Sequence, residues 1–448
     1  MDTAWGPITL RPFLWRFIDT DVFQRLRYLQ QTGLLQQVMP GATHTRFSHS
    51  IGVSYLADTL LTNICRAQPE LRLTEGELNT VALAALCHDL GHGPASHGFD
   101  KFMWVVDPEW RHEHQSVRLL QHMVDARGLQ DVVTAAGVDV HMACEVILGC
   151  RDAAPPGWRW RGPPPGREFL YEIVSNSVSG MDVDKWDYLK RDAKYLHLKG
   201  AFSCQRLLGQ GRVVAVDRAM RLAWPVCEAA NVMNMFLARY NLHGQAFQHR
   251  VTRCIECMCM HGLLAMRKLP IGTTGVLLED AYKHLDVFVK TTYWVITAAL
   301  QGLLGPDMPG AEVFARVVVR DLWKTVGSVM LPTAFSGRHE EVHAELAAIA
   351  DTGSEAFVVD VSAINCGKGR YDPMSKVPFY EVREADDKGT CVRQLQPKQP
   401  ADYMRPMYFQ RRILRVFAKD TTVVSALREA LKTWTIGALG SQTCVSFR

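Results

Sequence analysis

Two neighbouring residues, His88 and Asp89, have the side chains best suited to chemistry in this chain. Imidazole nitrogens and carboxylate oxygens both bind divalent metals, and a bound ion lowers the pKa of a water ligand so that it can attack a phosphate. A third histidine, His92, follows closely. The residues therefore suggest metal-assisted hydrolysis. By itself, however, a His-Asp dipeptide is more often a capping or core pair held by hydrogen bonds.

The segment before this pair predicts the helix that would hold it. Thr74 and Glu77 have the spacing of a capping box, and apolar residues recur at helical spacing after them, which predicts a helix over 75–90. On that helix His92 would lie one turn beyond His88 on the same face. Glycines and a proline beyond it then break the helix and open a loop.

Further candidate ligands lie on either side of this helix. His49 stands at the start of an apolar helical pattern, and Asp182, Asp184 and Asp187 fall within six positions of an otherwise apolar segment. With additional histidine and carboxylate groups available, the metal interpretation is favoured over a hydrogen-bonded pair.

Composition sets broad limits on the class of protein. The 448 residues are 48% apolar, enough by length for two or three domains, and the net charge of +4 suits anionic small ligands as well as nucleic acid. Neither a secretory signal nor a membrane span is visible. We therefore expect an intracellular protein. The cytoplasm is the favoured location and the nucleus is the alternative. Its cysteines would stay reduced, and Cys254, Cys257 and Cys259 are predicted to be buried thiols rather than zinc ligands.

Hydrophobic periodicity predicts a mainly α-helical fold. The helices are expected at 14–32, 49–67, 75–90, 112–127, 140–149, 167–199 and 229–268. A proline-rich stretch at 151–166 is predicted to be a loop that interrupts the helical body.

Alternating apolar segments between 354 and 397, among them Phe357–Val361 and Val377–Val382, predict a small mixed sheet. We therefore expect two domains, a helical body over 1–350 with its metal site within 46–190, and an α/β C-terminal lobe over 351–448.

The H...HD...D pattern and the residues around it resemble the HD-domain phosphohydrolases, and more closely the family of SAM-and-HD-domain deoxynucleoside triphosphate triphosphohydrolases. The resemblance lies in Asp19-Thr20, Phe23 to Tyr28, Pro40 to Ala42, Cys87 to Pro94, Phe169 to Asn176 and Asp182 to Tyr188, and continues more weakly from Phe357 to about Trp434. It covers nearly the whole chain and implies an HD-domain helical body with a smaller α/β lobe. Because it begins almost at Met1, we expect no counterpart of the family's SAM domain.

The resemblance implies a divalent ion held by His49, His88, Asp89 and Asp184. Two nitrogen and two oxygen ligands suit Fe, Mn, Zn or Mg without choosing among them. The reaction implied is attack of water on the α-phosphorus of a dNTP, which releases a deoxynucleoside and intact triphosphate.

That reaction needs a proton for the departing 5′ oxygen. The candidates are His92, His97, Asp100 and His114. A histidine can donate a proton near neutral pH and a carboxylate partner fixes its tautomer, so His97 is the expected donor and the other three form a supporting network. His112 and His122 are expected at the surface.

Substrate binding is likewise implied by the resemblance. Three cations would neutralise the triphosphate: Arg46, Lys185 and Arg239. The sugar and base would be held by Gln31, Tyr188, Asp192, His243, Phe247 and Gln248. A lone Arg or Lys is usually solvated surface charge, and Tyr188 as a core aromatic remains an alternative.

Two departures from the family bear on sugar specificity. Thr32 stands where the family has leucine, and Phe247 stands where it has a tyrosine near the 2′ position. The phenyl ring keeps the bulk but loses a hydroxyl hydrogen bond of about 0.5 to 1.5 kcal/mol. We expect a retained but altered preference for deoxynucleotides.

Members of this family assemble as tetramers when GTP and then a dNTP, as magnesium complexes, fill activator sites between subunits. The matching positions are Asp19, Gln24 and Arg27 for guanine, and Arg206, Asn231, His249, Arg250, Arg320 and Lys324 for activator phosphates. Asp19 as a helix cap and Arg27 as surface charge are the alternatives. We expect a homo-oligomer, from dimer to tetramer, and weak binding of single-stranded nucleic acid.

Activation itself is expected to be loosened, different or absent. Pro225 and Cys227 stand where the family has basic residues of the second activator site. We also expect no counterpart of the activator-contacting segment that precedes the match in the family. Each lost charge-assisted hydrogen bond would cost roughly 1.5 to 3 kcal/mol.

Three functions remain open at this point. The leading one is a metal-dependent dNTP triphosphohydrolase. The second is an HD-type phosphohydrolase or phosphodiesterase on another nucleotide, which would not release intact triphosphate. The third is a catalytically silent relative with a regulatory or nucleic-acid-binding role, against which the complete ligand set argues.

Overall fold

The structure of the protein is a computed structural model that describes residues 1–200, 202–381, 406–440 and 445–447. Its α-helices are α1 Leu14–Ile18, α2 Asp21–Gln24, α3 Arg46–Ala67, α4 Glu75–Cys87, α5 His97–Val106, α6 His112–Ala126, α7 Gln130–Ala135, α8 Val140–Leu148, α9 Val183–Tyr195, α10 Cys204–Gln210, α11 Ala229–Leu242, α12 Arg250–Ala265, α13 Leu285–Lys290, α14 Trp294–Leu300, α15 Ala311–Val318, α16 His339–Ala350 and α17 Val424–Leu439. The strands are β1 Arg212–Val216, β2 Ala219–Pro225, β3 Lys324–Leu331, β4 Phe357–Asn365, β5 Phe379–Tyr380, β6 Gln410–Ala418 and β7 Val445–Ser446. The predicted mainly α-helical class is confirmed.

The described chain divides into two compact units. The first unit comprises Met1–Arg239, Lys268–Val295 and the described residues from Pro373 to Glu381. The second unit comprises Tyr240–Arg267, Ile296–Asp372 and the described residues from Pro406 onward.

The first unit is built on α3 and α4, which pack against each other. Helix α4 begins at the predicted capping box, because the Glu77 backbone N–H donates to Thr74 Oγ1 at 3.2 Å and the Thr74 N–H donates to Glu77 Oε2 at 2.8 Å. Apolar side chains are buried all round α4. A helix buried on every side can hold polar groups at its end in fixed positions.

The His88-Asp89 segment is a tight turn at the end of α4 rather than the continued helix that the sequence predicted. The Ser116 hydroxyl on α6 accepts from the Gly91 N–H at 2.8 Å and donates to the His88 carbonyl at 2.6 Å. A Cβ at Gly91 would lie 1.9 Å from the His112 carbonyl oxygen and 2.5 Å from the Ser116 nitrogen. Only glycine lets this turn approach the backbone of α6 so closely.

Three long predicted helices are each divided by an internal N-cap. In the segment 14–32 the Thr20 hydroxyl accepts from the Phe23 N–H, in 167–199 the Asp182 carboxylate accepts from the Lys185 N–H, and in 229–268 His249 caps α12. Short polar side chains at these positions satisfy the free N–H groups of a new helix start. A π-helical turn at His243–Phe247 follows α11.

The predicted loop at 151–166 is held by one buried carboxylate. Glu145 on α8 is fully buried and accepts from the Arg161 N–H, the Gly162 N–H and the Tyr171 hydroxyl. The segment contains no helix beyond a single 3-10 turn at Arg151–Ala153. This loop is therefore fixed to the helical body.

The second unit contains an antiparallel sheet with strand order β4-β6-β3-β7. Helices α16 and α17 pack against each other and cover an apolar core that includes Val329, Leu346, Leu414 and Leu431. Because β3 and α16 precede residue 351, the units do not divide at the boundary predicted from sequence. The prediction followed local alternation, whereas the sheet is assembled from distant segments.

The predicted strand at Val377–Val382 belongs to a different sheet. Its described part forms β5, which pairs in parallel with β2, and β2 pairs with β1, all within the first unit. Residues 382–397 of the predicted sheet region lie outside the described residues.

Within the described ranges, the structure contains no helix with both the length and the apolar character of a membrane span.

The three cysteines of α12 differ in burial. Cys254 and Cys259 are buried and Cys257 is partly buried, all in α12, and burial raises the pKa of the Cys254 and Cys259 thiols to about 12. Cys254 and Cys259 are therefore core thiols as predicted, whereas Cys257 is not fully buried.

We expect Gly91→Ala to lower the free energy of unfolding by at least about 2 kcal/mol, because the added methyl group collides with rigid backbone. Thermal and urea unfolding measure the change. Gly209→Ala on α10 is the matched control, since a Cβ there has nothing within 4 Å. Equal stability of the two variants would contradict the tight packing of the turn on α6.

Candidate active site

The four predicted metal ligands lie together in the first unit. His49 is in the first turn of α3, Asp184 is in the first turn of α9, and His88 and Asp89 end α4. The His49 Nε2 atom is 3.1 Å from Asp184 Oδ1 and 3.4 Å from Asp89 Oδ2. The His88 Nε2 atom is 3.5 Å from Asp184 Oδ1. Two imidazoles and two carboxylates thus point at one small volume.

The orientation of both imidazoles fits a divalent ion. The His88 Nδ1 atom is 2.9 Å from the Ala85 carbonyl oxygen, and the His49 Nδ1 atom is 2.7 Å from Asp187 Oδ2. With an ion bound, these contacts would place the ring proton on Nδ1 and leave Nε2 as the ligand atom, as in most histidine metal sites. The His88 Nε2 atom is buried and has no partner of hydrogen-bond geometry among the described residues. A metal ion at this point would satisfy that atom.

Electrostatics around these residues also suits a cation. Burial would raise the pKa of Asp89, but Arg46, His88 and His92 outweigh it and hold the pKa well below its usual range. Burial would lower the pKa of His49, but hydrogen bonds to Asp184 and Asp187 raise it to about 10. The carboxylates therefore stay ionised and attract positive charge to this point.

A second polar cluster adjoins the first. It consists of His92, His97, Asp100 and His112. Asp100 Oδ2 is 3.0 Å from His97 Nδ1 and 3.3 Å from His112 Nδ1, and the His92 and His112 rings are stacked 3.9 Å apart. Asp89 joins the two clusters, since its Oδ1 is 3.3 Å from His92 Nε2.

The structure places His112, and not His114, in this cluster. The His112 side chain is only 19% exposed, so it is not a surface residue as the sequence suggested. The His114 Nε2 atom instead lies 2.8 Å from the Ala153 carbonyl oxygen. The predicted surface residue His122 is also partly buried, 3.3 Å from Asp286. The side of α6 that packs on the turn at Gly91 decides which histidine enters the site.

The two stacked histidines carry different charges. Burial, together with Arg46 and His112, holds the pKa of His92 well below its usual range. Burial would lower the pKa of His112 as well, but Glu113 and Asp100 raise it to about 9. At neutral pH a neutral imidazole therefore lies against an imidazolium.

Two cations line the same region. The guanidinium of Arg46 is buried, pairs with Asp89 and donates from Nε to Ser96 Oγ at 3.0 Å. The Lys185 ammonium is 2.6 Å from Asp182 Oδ2. A buried arginine and a lysine beside carboxylates provide the positive charge that a polyphosphate needs.

Comparisons with known proteins identify the family of this site. The family model of the HD domain matches residues 46–191, which include all four predicted metal ligands. Deoxynucleoside triphosphate triphosphohydrolase SAMHD1 of Bos taurus is 34% identical over 447 residues, covering 94% of this chain and 74% of the relative. The Danio rerio protein of that name is 35% identical, covering 94% and 70%, and the Dictyostelium discoideum SAMHD1 homolog is 30% identical, covering 96% and 80%.

The chain belongs to the SAMHD1 family of deoxynucleoside triphosphate triphosphohydrolases. The family and enzyme class predicted from the sequence are thereby confirmed.

The positions predicted to bind substrate in this family are divided between the two units. In the first unit, Asp192 Oδ1 is 2.6 Å from His44 Nε2, and the Gln31 Oε1 atom is buried without a hydrogen-bond partner among the described residues. Burial raises the pKa of Tyr188, with Arg239 opposing it. The remaining predicted residues, His243, Phe247 and Gln248, belong to the second unit, on or just after its π-helical turn.

The positions predicted to bind activators show varied surroundings. Asp19 is exposed at the C-cap of α1, and the Arg27 guanidinium lies 3.6 Å above the Phe47 ring while donating to Gln24 Oε1. Arg206 pairs with the buried Glu228, which also accepts from Asn231 Nδ2 at 2.9 Å.

The second unit holds the other predicted activator positions. His249 is the N-cap of α12 and Arg250 is its exposed first residue, Arg320 is exposed with a φ of 63°, and Lys324 Nζ is 3.6 Å from Asp321.

Two supporting residues were not predicted. From the sequence, Asp187 stood out only as one of three closely spaced acidic residues. In the structure its carboxylate contacts the His49 Nδ1 atom. Arg25 is fully enclosed, and its guanidinium donates to the carbonyls of Leu90 and His92 at 2.7 and 3.0 Å. Both lie in strings typical of the family, but only their contacts reveal what they position.

We expect Asp100→Asn to lower the pKa of His112 from about 9 by about one pH unit or more, because a charge-assisted hydrogen bond is lost. Since the folded pKa is raised, protonated His112 stabilises the fold fully below about pH 6.5, and this contribution is lost as pH rises through about 9. In the variant that loss should move to lower pH.

Histidine ring resonances followed by NMR against pH measure this change. Asp125→Asn, which alters an exposed carboxylate on the same helix, serves as the control. An unchanged His112 titration in Asp100→Asn would contradict the proposed pairing.

Proposed function

We propose that this protein hydrolyses dNTPs to a deoxynucleoside and inorganic triphosphate at a divalent metal centre formed by His49, His88, Asp89 and Asp184. The observation that supports this most is the position of Asp89, which contacts both the metal-ligand group and the histidine cluster. A nucleophile generated at the first group would therefore be adjacent to proton donors in the second.

A divalent ion bound by these four residues would polarise the phosphoryl group and lower the pKa of a bound water. The mixed nitrogen and oxygen donor set is compatible with Fe, Mn, Zn or Mg. The protein's own contribution is to fix its ligands: Asp187 and the Ala85 carbonyl hold the two imidazoles in the Nδ1–H tautomer.

The proton for the departing 5′ oxygen is assigned to His97. Its side chain is 72% exposed, so it can reach a bound substrate, while Asp100 holds its Nδ1 and directs Nε2 outward. His112, which replaces His114 in the proposed network, competes for the same carboxylate and remains protonated at neutral pH. Neutral His92 separates that positive charge from Asp89.

Substrate charge would be met by Arg46, Lys185 and Arg239. Arg46 is held rigidly by Asp89 and Ser96, so little conformational entropy is lost when it binds a phosphate oxygen. The sugar and base are assigned to Gln31, Tyr188 and Asp192, with His243, Phe247 and Gln248. Because Phe247 keeps its ring, we propose that the deoxynucleotide preference is retained in altered form.

Regulation by GTP and dNTP, as magnesium complexes, is part of the proposal but is expected to be weaker than in the family. Asp19, Gln24 and Arg27 would read guanine in an intracellular homo-oligomer, and weak binding of single-stranded nucleic acid would share the basic residues. Pro225 and Cys227 offer no positive charge to a second activator.

The deciding experiment incubates the purified full chain with each dNTP, with and without GTP, and separates the products. We expect deoxynucleoside and intact triphosphate in equal amounts, with slower release from ribonucleotides. Release of monophosphate would favour the phosphodiesterase alternative. His88→Ala and Asp89→Ala are expected to abolish turnover, and activity that survives in both would contradict the proposed centre.

The two neighbouring histidines of α6 allow a matched test of the acid-base network. We expect His112→Ala to lower kcat, but by less than the roughly 10²- to 10⁴-fold contribution of the general acid His97 itself, because His112 acts through Asp100. His114→Ala removes an imidazole from the same helix turn and should retain most of the activity, because within the described residues the His114 ring bonds to a loop carbonyl outside the cluster. If His114→Ala is as damaging as His112→Ala, the assignment is wrong.

A further inference from the structure

The first turn of the chain contacts the residues that hold a proposed metal ligand. Asp187, which binds His49 Nδ1, is fully buried, and so is its partner Arg191. The Arg191 guanidinium donates to Asp187 Oδ2 at 2.7 Å and to Oδ1 at 2.9 Å. Two hydrogen bonds in this fork geometry fix the plane of the carboxylate.

Residues near the N-terminus complete this arrangement. The indole N–H of Trp5 donates to Asp187 Oδ1 at 2.5 Å. Asp2 accepts from the far side of Arg191, with its Oδ2 atom 2.8 Å from NH1 and its Oδ1 atom 3.2 Å from NH2. Asp2 also accepts from the Ala4 and Trp5 N–H groups, which shapes the turn itself. Asp187 thus receives donors from Trp5, Arg191 and His49.

The helix that carries His49 makes room for this network. A Cβ at Gly52, one turn after His49 in α3, would lie 2.0 Å from Asp187 Oδ1 and 2.5 Å from Arg191 NH2. No other residue type leaves space for the carboxylate and guanidinium against this face. The packing therefore leaves Asp187 one position.

We propose that the turn Asp2–Gly6 is a built-in part of the metal centre, in which Trp5 and Asp2 act as positioning residues that hold Asp187 and Arg191 and thereby the metal-binding orientation of His49. This inference rests on the proposed metal site. Trp5 is well placed for the role, because a neutral N–H satisfies a carboxylate oxygen without drawing it away from the imidazole. The Lys190 ammonium lies 3.8 Å above the Trp5 ring and keeps the ring in place.

Loss of the Trp5 N–H leaves a buried carboxylate oxygen with one donor fewer and frees Asp187 to turn from His49. Changes in the partners of metal ligands commonly weaken metal affinity by about 10- to 100-fold. We therefore expect Trp5→Phe, which keeps the aromatic ring, to raise the Mn²⁺ dissociation constant by about tenfold.

The test titrates Mn²⁺ into metal-stripped full-length protein and follows free Mn²⁺ by electron paramagnetic resonance, with Tm measured on the same samples. Trp434→Phe is the matched control, because the Trp434 indole also donates to a carboxylate, Glu345 Oε2 at 2.6 Å, in the second unit. The nitrogen shift of His49 Nδ1 in ¹⁵N-histidine-labelled protein reports its hydrogen bond to Asp187 without metal, and we expect this shift to change in Trp5→Phe only.

His88→Ala separates the two proposals. If His88→Ala still binds Mn²⁺ as the wild type does, the metal site itself is wrong. If His88→Ala loses Mn²⁺ while Trp5→Phe binds within twofold of Trp434→Phe and keeps the wild-type His49 Nδ1 shift, only the role of the turn is wrong.

A second pair of variants applies should Trp5→Phe fail to fold. Asp2→Asn keeps the size of the side chain and removes its charge, so we expect a smaller loss of Mn²⁺ affinity in the same direction. Asp58→Asn is its control, since Asp58 pairs with Arg11 at 2.6 Å and contacts none of these residues in the structure. Equal Mn²⁺ affinity of the two variants would overturn the inference.

Discussion

The site depends on one buried carboxylate, Asp89, which has to remain ionised within the protein. Its Oδ2 atom faces Arg46 and His49, and its Oδ1 atom faces His88 and His92. An unpaired carboxylate in such a place would take up a proton, since burial disfavours its charge. Arg46 prevents this and lowers the pKa of Asp89. Asp89 therefore links the charges of the groups around it, and the clusters on either side are electrostatically coupled.

This constraint explains how closely spaced histidines can have different protonation states. His92 and His112 are stacked, yet the pKa of His92 lies below its usual range and that of His112 is about 9. Burial disfavours charge on both, and the position of the carboxylates decides the outcome, because Glu113 and Asp100 lie beside His112. Groups with separated pKa values are what acid-base chemistry requires. The arrangement keeps one imidazolium available without placing a second positive charge against it.

Sequence reasoning reached the parts of this site that depend on local pattern. The capping box at Thr74 and the apolar pattern of α4 could be predicted, because they involve residues a few positions apart. The choice between His112 and His114 could not be predicted from the sequence. Residues two apart on a helix point about 200° apart, and only the packing partner decides which side faces inward. The turn at Gly91, which approaches the backbone of α6 closely, is that packing partner. The two segments are separate in the sequence, so hydrophobic periodicity does not predict their contact. The pairing of β3 with β6 was not predicted for the same reason, although the strand at Phe357–Val361 in the same sheet was.

The activator positions illustrate a limit on transferring function from matched residues. Arg206 matches a phosphate-binding position, but its guanidinium is already paired with Glu228, and Asn231 donates to the same carboxylate. Because Glu228 is fully buried and Arg206 is 58% exposed, an activator phosphate would have to share the guanidinium with a carboxylate that cannot move into water. The nearby Pro225 and Cys227 add no positive charge that could offset this competition. Under the proposed regulation, the electrostatic attraction left for a second activator would therefore be smaller than the match of residues alone implies. Its strength would depend on how far Arg206 can turn outward while Glu228 keeps its bond to Asn231.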